Sequence, residues 1–153
     1  MPIRIMHVVN NLGKGGLENG LVNLIERMDH RRFTHVVCTV RGLGPNADRL
    51  PRERVEVVAL GDAASKSRFQ TPALVRNIRR FEPDIVHSRN WGAIEAVFAG
   101  RLSGRAVIHS EHGLEAEAGA NEPRRRAYLR RLAFEAADRV VSVSLQLRDL
   151  HAG

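Results

Sequence analysis

The sequence has few cysteine, lysine or aromatic residues and no long apolar run. A single cysteine, Cys38, excludes an internal disulfide and is typical of a reducing compartment. No apolar run approaches the roughly 20 residues of a membrane-spanning helix, and the first residues lack a signal-peptide layout. We therefore expect a cytoplasmic protein. Aromatic residues are only 5% of the chain and basic residues are scattered, so we expect no nucleic-acid partner.

The charge that the sequence does carry is mostly arginine. Lys and Arg total 24 against 17 Asp and Glu, for a formal net charge of +7, and only Lys14 and Lys66 are lysines. Such a balance favours an anionic partner, for example a phosphate or an acidic membrane face. With 153 residues, 43% of them hydrophobic, the chain can form one globular domain.

Short apolar runs alternate with segments of helical periodicity, which predicts strands and helices in turn. The predicted strands are 3–9, 35–40, 55–60, 85–88, 106–110 and 139–143. The predicted helices are 17–28, 71–81 with Thr71 as N-cap, 92–102, 123–137 and one from 144. Segment 41–54 is ambiguous, and 62–70 and 114–122 are predicted loops. This alternation predicts an α/β fold, a Rossmann-like parallel sheet with helices on both faces.

Polar residues cluster where three of the predicted strands end. They are Asn10 and Asn11 after the first strand, His87, Arg89 and Asn90 at the fourth, and His112 after the fifth. Ligands of open parallel sheets bind at the carboxyl ends of the strands, where the strand order reverses. We therefore expect these residues to form one site. Beside them, Trp91 either stacks on a sugar or lipid head group or packs on a neighbouring strand.

A glycine loop joins the first strand to the first helix. Gly15 and Gly16 let the backbone approach a ligand, and free N–H groups at a helix start attract a phosphate or diphosphate. A plain tight turn remains the alternative. The loop is neither a P-loop nor a complete dinucleotide fingerprint, because Glu18 stands at the third glycine position.

The histidines of the fifth strand suggest a metal site, but their spacing argues against one. His109 and His112 are three residues apart, and residues with that separation on a strand face opposite sides. We therefore expect no metal ligation. His112 follows the strand, where it either meets a substrate or is a loop histidine satisfied by backbone groups.

Five motifs in this order resemble family-four glycosyltransferases, and more narrowly the bacterial sugar transferases of exopolysaccharide and protein-sorting gene clusters. The motifs are Ile3–Val9, Gly15-Gly16-Leu17-Glu18, Pro83–His87, Glu111-His112-Gly113 and Ala137–Ser144. The resemblance implies the N-terminal half of a GT-B fold, in which two Rossmann-like domains face each other across a cleft. It implies retaining transfer of a sugar from a nucleotide-sugar to a polysaccharide or glycolipid, with no cofactor and no metal.

The resemblance also implies roles for single residues. His112 matches a histidine that reaches the transferred sugar, so it is the candidate catalytic residue, and Gly15 and Gly16 match the loop near the donor diphosphate. The acceptor contacts are expected at Asn10, Asn11, His87, Arg89 and Asn90. Residues 1–153 would then be a truncated acceptor-side domain that lacks the C-terminal nucleotide-sugar domain and is inactive alone. The alternative is a non-catalytic module that binds a nucleotide or a phosphosugar.

Helix 123–137 carries a basic face that predicts peripheral membrane contact. On a helical projection Leu129, Leu132, Ala133 and Ala136 share the face expected to pack on the sheet. Phe134 falls on the other side, among Arg124, Arg130 and Arg131. An exposed aromatic among arginines is typical of contact with an anionic membrane surface.

Overall fold

The computed structural model describes residues 1–61, 69–113 and 122–152. In these ranges, strands β1 to β6 are Ile3–Val9, Phe33–Thr39, Val55–Ala59, Ile85–Arg89, Ala106–Glu111 and Arg139–Ser142. Helices α1 to α5 are Gly16–Arg27, Thr71–Phe81, Glu95–Leu102, Arg124–Ala136 and Leu145–Ala152, and 3-10 helices cover Pro45–Arg49 and Trp91–Ala93. Every predicted strand and helix is present with bounds shifted by a few residues. The predicted loops 62–70 and 114–122 lie mostly outside the described residues.

The strands form one parallel sheet in the order β3-β2-β1-β4-β5-β6. The chain moves outward from β1 to β3, then returns to the centre and continues outward from β4 to β6. The strand order therefore reverses between β1 and β4, where Val8 lies beside Ser88. This is the Rossmann-like arrangement that the sequence predicts, and the crevice at its switch point is the expected ligand site.

Helices cover both faces of this sheet, as predicted. On one face, α1 contributes Leu21, Val22 and Ile25, which pack against Val9 and Val37. On the other face, α2, α3 and α4 pack against the opposite side chains of the same strands. Because side chains alternate along a strand, each polar residue near a strand end is committed to one of these two sides.

The start of α2 differs in one detail from the prediction. Thr71 is the first helical residue, and the helix start is stabilised from α3 instead of by a local N-cap side chain. The Glu95 Oε2 atom accepts hydrogen bonds from Thr71 Oγ1 at 2.7 Å and from the backbone N–H groups of Thr71 and Gln70 at 2.9 and 2.8 Å. A carboxylate is favourable at this positive end of the helix dipole.

Candidate functional site

A chain of buried and partly buried hydrogen bonds runs along the α1 side of the sheet; we call it the imidazole network. At its centre, Arg89 donates from Nη1 to His7 Nδ1 and from Nη2 to His87 Nδ1, both at 3.1 Å. From there the network continues to a serine and two more histidines. His87 Nε2 lies 2.9 Å from Ser110 Oγ, Ser110 Oγ lies 3.0 Å from His112 Nε2, and His7 Nε2 lies 3.0 Å from His35 Nδ1. The network thus joins β2, β1, β4 and β5 and ends at His112.

Burial keeps the imidazoles of this network uncharged. Burial and the nearby Arg89 cation lower the pKa of His87 to about 3 and that of His7 well below its ordinary value. The pKa of His112 is lowered by the same two causes, although Glu111 acts in the opposite direction. Burial also lowers the pKa of Arg89, to about 10, so this side chain stays charged at neutral pH. The network is therefore one cation surrounded by neutral rings.

Asn90 holds the backbone of His112 at the end of the network. Its Oδ1 accepts a hydrogen bond from the His112 N–H at 2.7 Å, and its own N–H donates to the Ser110 carbonyl at 2.9 Å. Asn90 adopts φ 55° and ψ 176°, a conformation that residues other than glycine rarely occupy. Such a backbone costs about 1–3 kcal/mol and is often found in binding sites.

A second buried group lies on the α4 side of the same strand ends; we call it the ion-pair cluster. Its members are His109, Glu111, Glu122, Arg126 and Arg130. Arg130 Nη2 lies 3.0 Å from Glu122 Oε1, Arg126 Nε lies 3.2 Å from the same oxygen, and His109 Nε2 lies 3.2 Å from Glu111 Oε1. Arg130 Nε also lies 3.8 Å from Glu111 Oε1, so the cluster joins α4 to β5 and to Glu122, two residues before the helix.

This cluster corrects the predicted membrane face of α4. Arg130 is only 5% exposed and Arg126 is 9% exposed, so neither faces solvent. The Phe134 ring lies 5.5 Å from that of His109, against the sheet and not among outward arginines. The prediction was wrong for Arg130 and Phe134 because long arginine stems can cover a sheet while their charged ends pair with carboxylates. Arg124 and Arg131 are exposed, as predicted.

An open cavity of about 710 Å³ lies beside the switch point, on the same side as α4. Asn10 and Gly92 meet at its base, where a side chain on Gly92 would lie 2.7 Å from the Asn10 Cβ. Trp91 and Phe98 provide apolar wall, and Arg41 and Arg125 lie at the rim. Neither of these arginines has an acidic partner within the described ranges. Because Glu95 in the wall already caps α2, the cavity favours a ligand that carries negative charge.

Trp91 is already in contact on one face. The Arg126 guanidinium lies 4.6 Å and that of Arg130 5.8 Å from the centre of its indole ring. Cations at this distance are attracted to the aromatic face. Of the two predicted alternatives, packing against protein groups therefore accounts for one face of the indole ring. The ring also lines the cavity.

The glycine loop has room for a ligand at only one of its two candidate positions. A side chain at Gly15 would collide with the Glu18 carboxylate, whereas nothing lies within 4 Å of a side chain built on Gly16. No side chain caps the start of α1 among the described residues. A diphosphate at this helix start would have the Glu18 carboxylate beside it, so its binding by Gly15 and Gly16 stays a prediction.

The structure divides the predicted acceptor residues between different places. Asn10 is exposed and lines the cavity, whereas the Asn11 side chain accepts a hydrogen bond from the Gly13 N–H at 2.9 Å and shapes the loop. Arg89 is 3% exposed and both of its terminal nitrogens contact imidazoles. Direct contact of Arg89 with an acceptor stays a prediction, as does that of His87, which lies beside it on the α1 side.

The two histidines of the fifth strand face opposite sides, as the spacing predicts. The His109 ring contacts Ser88 Oγ at 3.0 Å and Glu111, on the α4 side, whereas the His112 ring contacts Ser110 in the imidazole network. Within the part of the chain that is described, no three His, Cys, Asp or Glu residues lie close enough to hold a metal ion together. No helix in those residues is long and apolar enough to cross a membrane.

Several functional candidates give no signal in the sequence. Ser110 and His7 belong to the network because of the strand register, which places Arg89 beside Ser110 and His7 beside His87. Arg41 and Arg125 reach the cavity from elements far apart in the chain. A correct strand order with in-register parallel pairing would have indicated Ser110, whereas the arginines need the full fold.

Comparison with known proteins decides the family. The sequence profile of Glycosyltransferase Family 4 matches residues 14–153, which is nearly the whole chain. This chain belongs to Glycosyltransferase Family 4. A search of curated protein sequences found no match. The family assignment agrees with the resemblance that the five motifs suggest.

Solved structures similar to this Glycosyltransferase Family 4 chain share its fold at low sequence identity. A Listeria monocytogenes protein assigned as a UDP-N-acetylglucosamine 2-epimerase has a TM-score of 0.68 and 17% identity, covering 99% of this chain and 41% of its own. The UDP-GlcNAc 2-epimerase from Neisseria meningitidis, solved with UDP-GlcNAc bound, has a TM-score of 0.62 and 15% identity, covering 98% and 42%. The UDP-GlcNAc 2-epimerase from Methanocaldococcus jannaschii has a TM-score of 0.60 and 12% identity, covering 98% of this chain and 42% of its own. The chain thus spans about two fifths of their length, and the similarity supports the N-terminal half of a GT-B fold.

Proposed function

We propose that residues 1–153 are the acceptor-side domain of a retaining glycosyltransferase that transfers a sugar from a nucleotide-sugar to a cell-surface polysaccharide or glycolipid. Family membership supports the transferase class, and solved neighbours that process or bind UDP-sugars support a nucleotide-sugar donor. The observation that carries the proposal is that Asn10, Asn90 and His112 all lie at the carboxyl edge of the sheet, where Asn90 holds the His112 backbone and Asn10 lines a large open cavity.

The cavity is the proposed acceptor site. Its volume of about 710 Å³ suits a mono- or disaccharide, and apolar side chains such as Trp91 pack on sugar rings. Arg41 and Arg125 lie at its rim without acidic partners in the described ranges, which favours an acceptor that carries a phosphate or a carboxylate. A lipid-linked saccharide phosphate has this chemistry.

The donor is proposed to approach the same edge from a second domain. His112 would contact the transferred sugar, and the N–H groups at the start of α1, next to Gly16, would face the leaving diphosphate. Fixed N–H donors stabilise the charge that develops on a leaving diphosphate without a metal ion. Holding donor and acceptor in reaction geometry requires both domains, so residues 1–153 are expected to be inactive alone.

The test is sugar transfer by the longest product of the gene and by residues 1–153, with a panel of nucleotide-sugars and with neutral, phosphorylated and lipid-linked saccharides. We expect transfer with retention at the anomeric carbon by the longer product only. Arg41→Gln and Arg125→Gln should raise the acceptor KM by about tenfold each, the loss of one charge-assisted contact, while the exposed Arg31→Gln serves as the matched control.

Three outcomes would contradict the proposal. Sustained transfer by residues 1–153 alone would overturn the two-domain arrangement. Epimerisation of UDP-GlcNAc by the longer product would instead indicate the chemistry named for the solved neighbours. Binding of nucleotide or phosphosugar with neither reaction would favour a non-catalytic binding module.

A cytoplasmic location with contact at the inner membrane face is part of the same proposal. The exposed Arg124, Arg125 and Arg131 of α4 are the residues that could contact an anionic surface, with Tyr128, which is 61% exposed. Co-sedimentation with anionic and neutral vesicles tests it. Equal, weak binding to both vesicle types would remove membrane contact from the proposal and leave the transferase assignment intact.

A further inference from the structure

The centre of the imidazole network is a buried cation with no buried carboxylate to neutralise it. Arg89 is 3% exposed, and among the described residues it forms no ion pair. Its terminal nitrogens contact His7 Nδ1 and His87 Nδ1 at 3.1 Å. A guanidinium has only donors, so both Nδ1 atoms must accept. The buried charge therefore decides which nitrogen of each neighbouring ring carries the proton.

The direction of every later hydrogen bond follows from that first one. His87 is neutral and its Nδ1 accepts, so its proton lies on Nε2, which donates to Ser110 Oγ at 2.9 Å. The Ser110 hydroxyl has one proton, and His112 Nε2 at 3.0 Å is its only other contact among the described residues, so the hydroxyl donates to that nitrogen. The Nε2 atom of His112 is thus an acceptor, and a neutral His112 ring carries its proton on Nδ1.

We propose that Arg89 and Ser110 are positioning residues that fix His112 in its Nδ1-protonated form, so that the ring offers a hydrogen-bond donor, and not a basic nitrogen, to the ligand. This assigns both residues to the control of His112 instead of to direct contact with a substrate. What the donor meets, an oxygen of the transferred sugar, rests on the proposed function. The hydrogen-bond order itself depends only on the network.

The charges around His112 agree with a neutral ring. Arg89 and His87 face it from β4, and His109 and Glu111 lie near it on β5. Burial, Arg89 and His109 lower the pKa of His112, and only Glu111 raises it. The ring is therefore neutral near neutral pH, and because Ser110 occupies its basic nitrogen Nε2, its chemistry at the site is donation of a hydrogen bond from Nδ1.

The decisive experiment observes the histidine ring nitrogens of the ¹⁵N-labelled 153-residue chain by two-bond ¹H–¹⁵N correlation near neutral pH. The His112 signals are assigned by their loss in His112→Gln. In the wild type we expect the Nδ1-protonated pattern, the less populated form of free histidine. In Ser110→Ala we expect a shift toward the Nε2-protonated form and a higher titration midpoint for His112, because the donor to Nε2 is lost.

Matched variants separate this effect from a general disturbance. Ser88→Ala removes the serine that contacts His109 on the other side of the sheet, at 3.0 Å, and should leave the His112 pattern unchanged. Ser110→Thr keeps a hydroxyl and should restore the wild-type pattern. An Nε2-protonated His112 in the wild type, or an unchanged tautomer in a folded Ser110→Ala variant, would overturn the proposal.

A transfer assay distinguishes failure of this inference from failure of the proposed function. In the longer gene product, Ser110→Ala should lower kcat/KM by about three- to tenfold and move the acid limb of the pH profile upward, since His112 would gain a proton more easily. A changed His112 tautomer with wild-type transfer would support the proposed hydrogen-bond order and count against a role of His112 in transfer. An unchanged His112 tautomer with reduced transfer would refute the proposed hydrogen-bond order but would not contradict the proposed function.

Discussion

Each side of β5 has a buried polar cluster near the end of the strand, and the two clusters differ in how their charges are balanced. On the α4 side, the ion-pair cluster balances Arg126 and Arg130 with Glu111 and Glu122. On the α1 side, the imidazole network surrounds Arg89 with neutral rings and contains no carboxylate. Balanced charges hold helices in place at modest net benefit. An unbalanced cation instead sets the protonation of its neighbours.

The network, unlike the cluster, reaches a residue of the proposed site. The network ends at His112, next to Asn90 with its strained backbone, whereas the cluster lies in the interface between α4 and the sheet. Perturbed protonation is typical of functional sites. We therefore interpret the cluster as the support of α4 and the network as the functional element.

The largest effect is expected in the cluster, on stability. Arg130→Met removes the Arg130 contacts with Glu122 and Glu111 and leaves Arg126 as the cation beside Glu122. Removing one member of a buried ion pair lowers the free energy of unfolding by about 3 kcal/mol. The matched control is the next residue, because Arg131→Met removes only the exposed pair with Glu135 and should change the free energy of unfolding by less than about 0.5 kcal/mol. Urea unfolding of both variants checks this. Equal stability of the two would mean that the cluster does not support α4.

The next effect is acid destabilisation by the network. His87 stays neutral when folded, with a pKa of about 3, but binds a proton near pH 6.5 when unfolded. The stability that the neutral ring contributes is fully present above about pH 6.5 and is lost as the pH falls toward 3. Near pH 5, each such ring therefore lowers the free energy of unfolding by about 2 kcal/mol. His7, whose pKa is also lowered, adds to this loss.

Urea unfolding between about pH 5 and pH 7, above the ordinary range of carboxylates, measures this loss. His87→Asn keeps an oxygen acceptor for Arg89 but cannot titrate, so its free energy of unfolding should fall less steeply with acid than that of the wild type. The same steepness in both proteins would contradict a neutral His87 in the folded chain.

The smallest effect concerns the backbone that connects the two sides. Asn90→Gly and Asn90→Ala both remove the hydrogen bond to the His112 N–H, but only glycine tolerates φ 55° with ψ 176°. We expect the glycine variant to be more stable than the alanine variant by about 1 kcal/mol, by thermal or urea unfolding. A more stable alanine variant would show that the backbone at this position is not strained in solution.

The sheet could be predicted from the sequence because buried parallel strands leave apolar runs of a recognisable length. Ile3–Val9 matches its strand from end to end, and the polar residues after β1, β4 and β5 lie at one edge as expected. The family could be predicted as well, because its motifs stand near these same strand ends.

The contacts of individual side chains could not be predicted in the same way. Arg126 and Arg130 pair with Glu122, which lies just before the helix, and Arg130 also approaches Glu111 of β5, and a helical projection of α4 alone contains neither carboxylate. Ser110 joins the network only through the register of β4 and β5. Arg89 ends β4, a strand that the sequence locates, but the sequence does not indicate that its guanidinium contacts two imidazoles.

The role of His112 is tested most directly by transfer and stability measurements on His112→Ala of the longer gene product. We expect kcat/KM to fall by about tenfold to a thousandfold, the range for losing one or two transition-state contacts. The Tm should stay within about 2 °C of the wild type, because the half-buried His112 ring contributes little to the core. Unchanged kcat/KM, or a loss of activity matched by a loss of Tm, would contradict the claim that the imidazole network serves the site through His112.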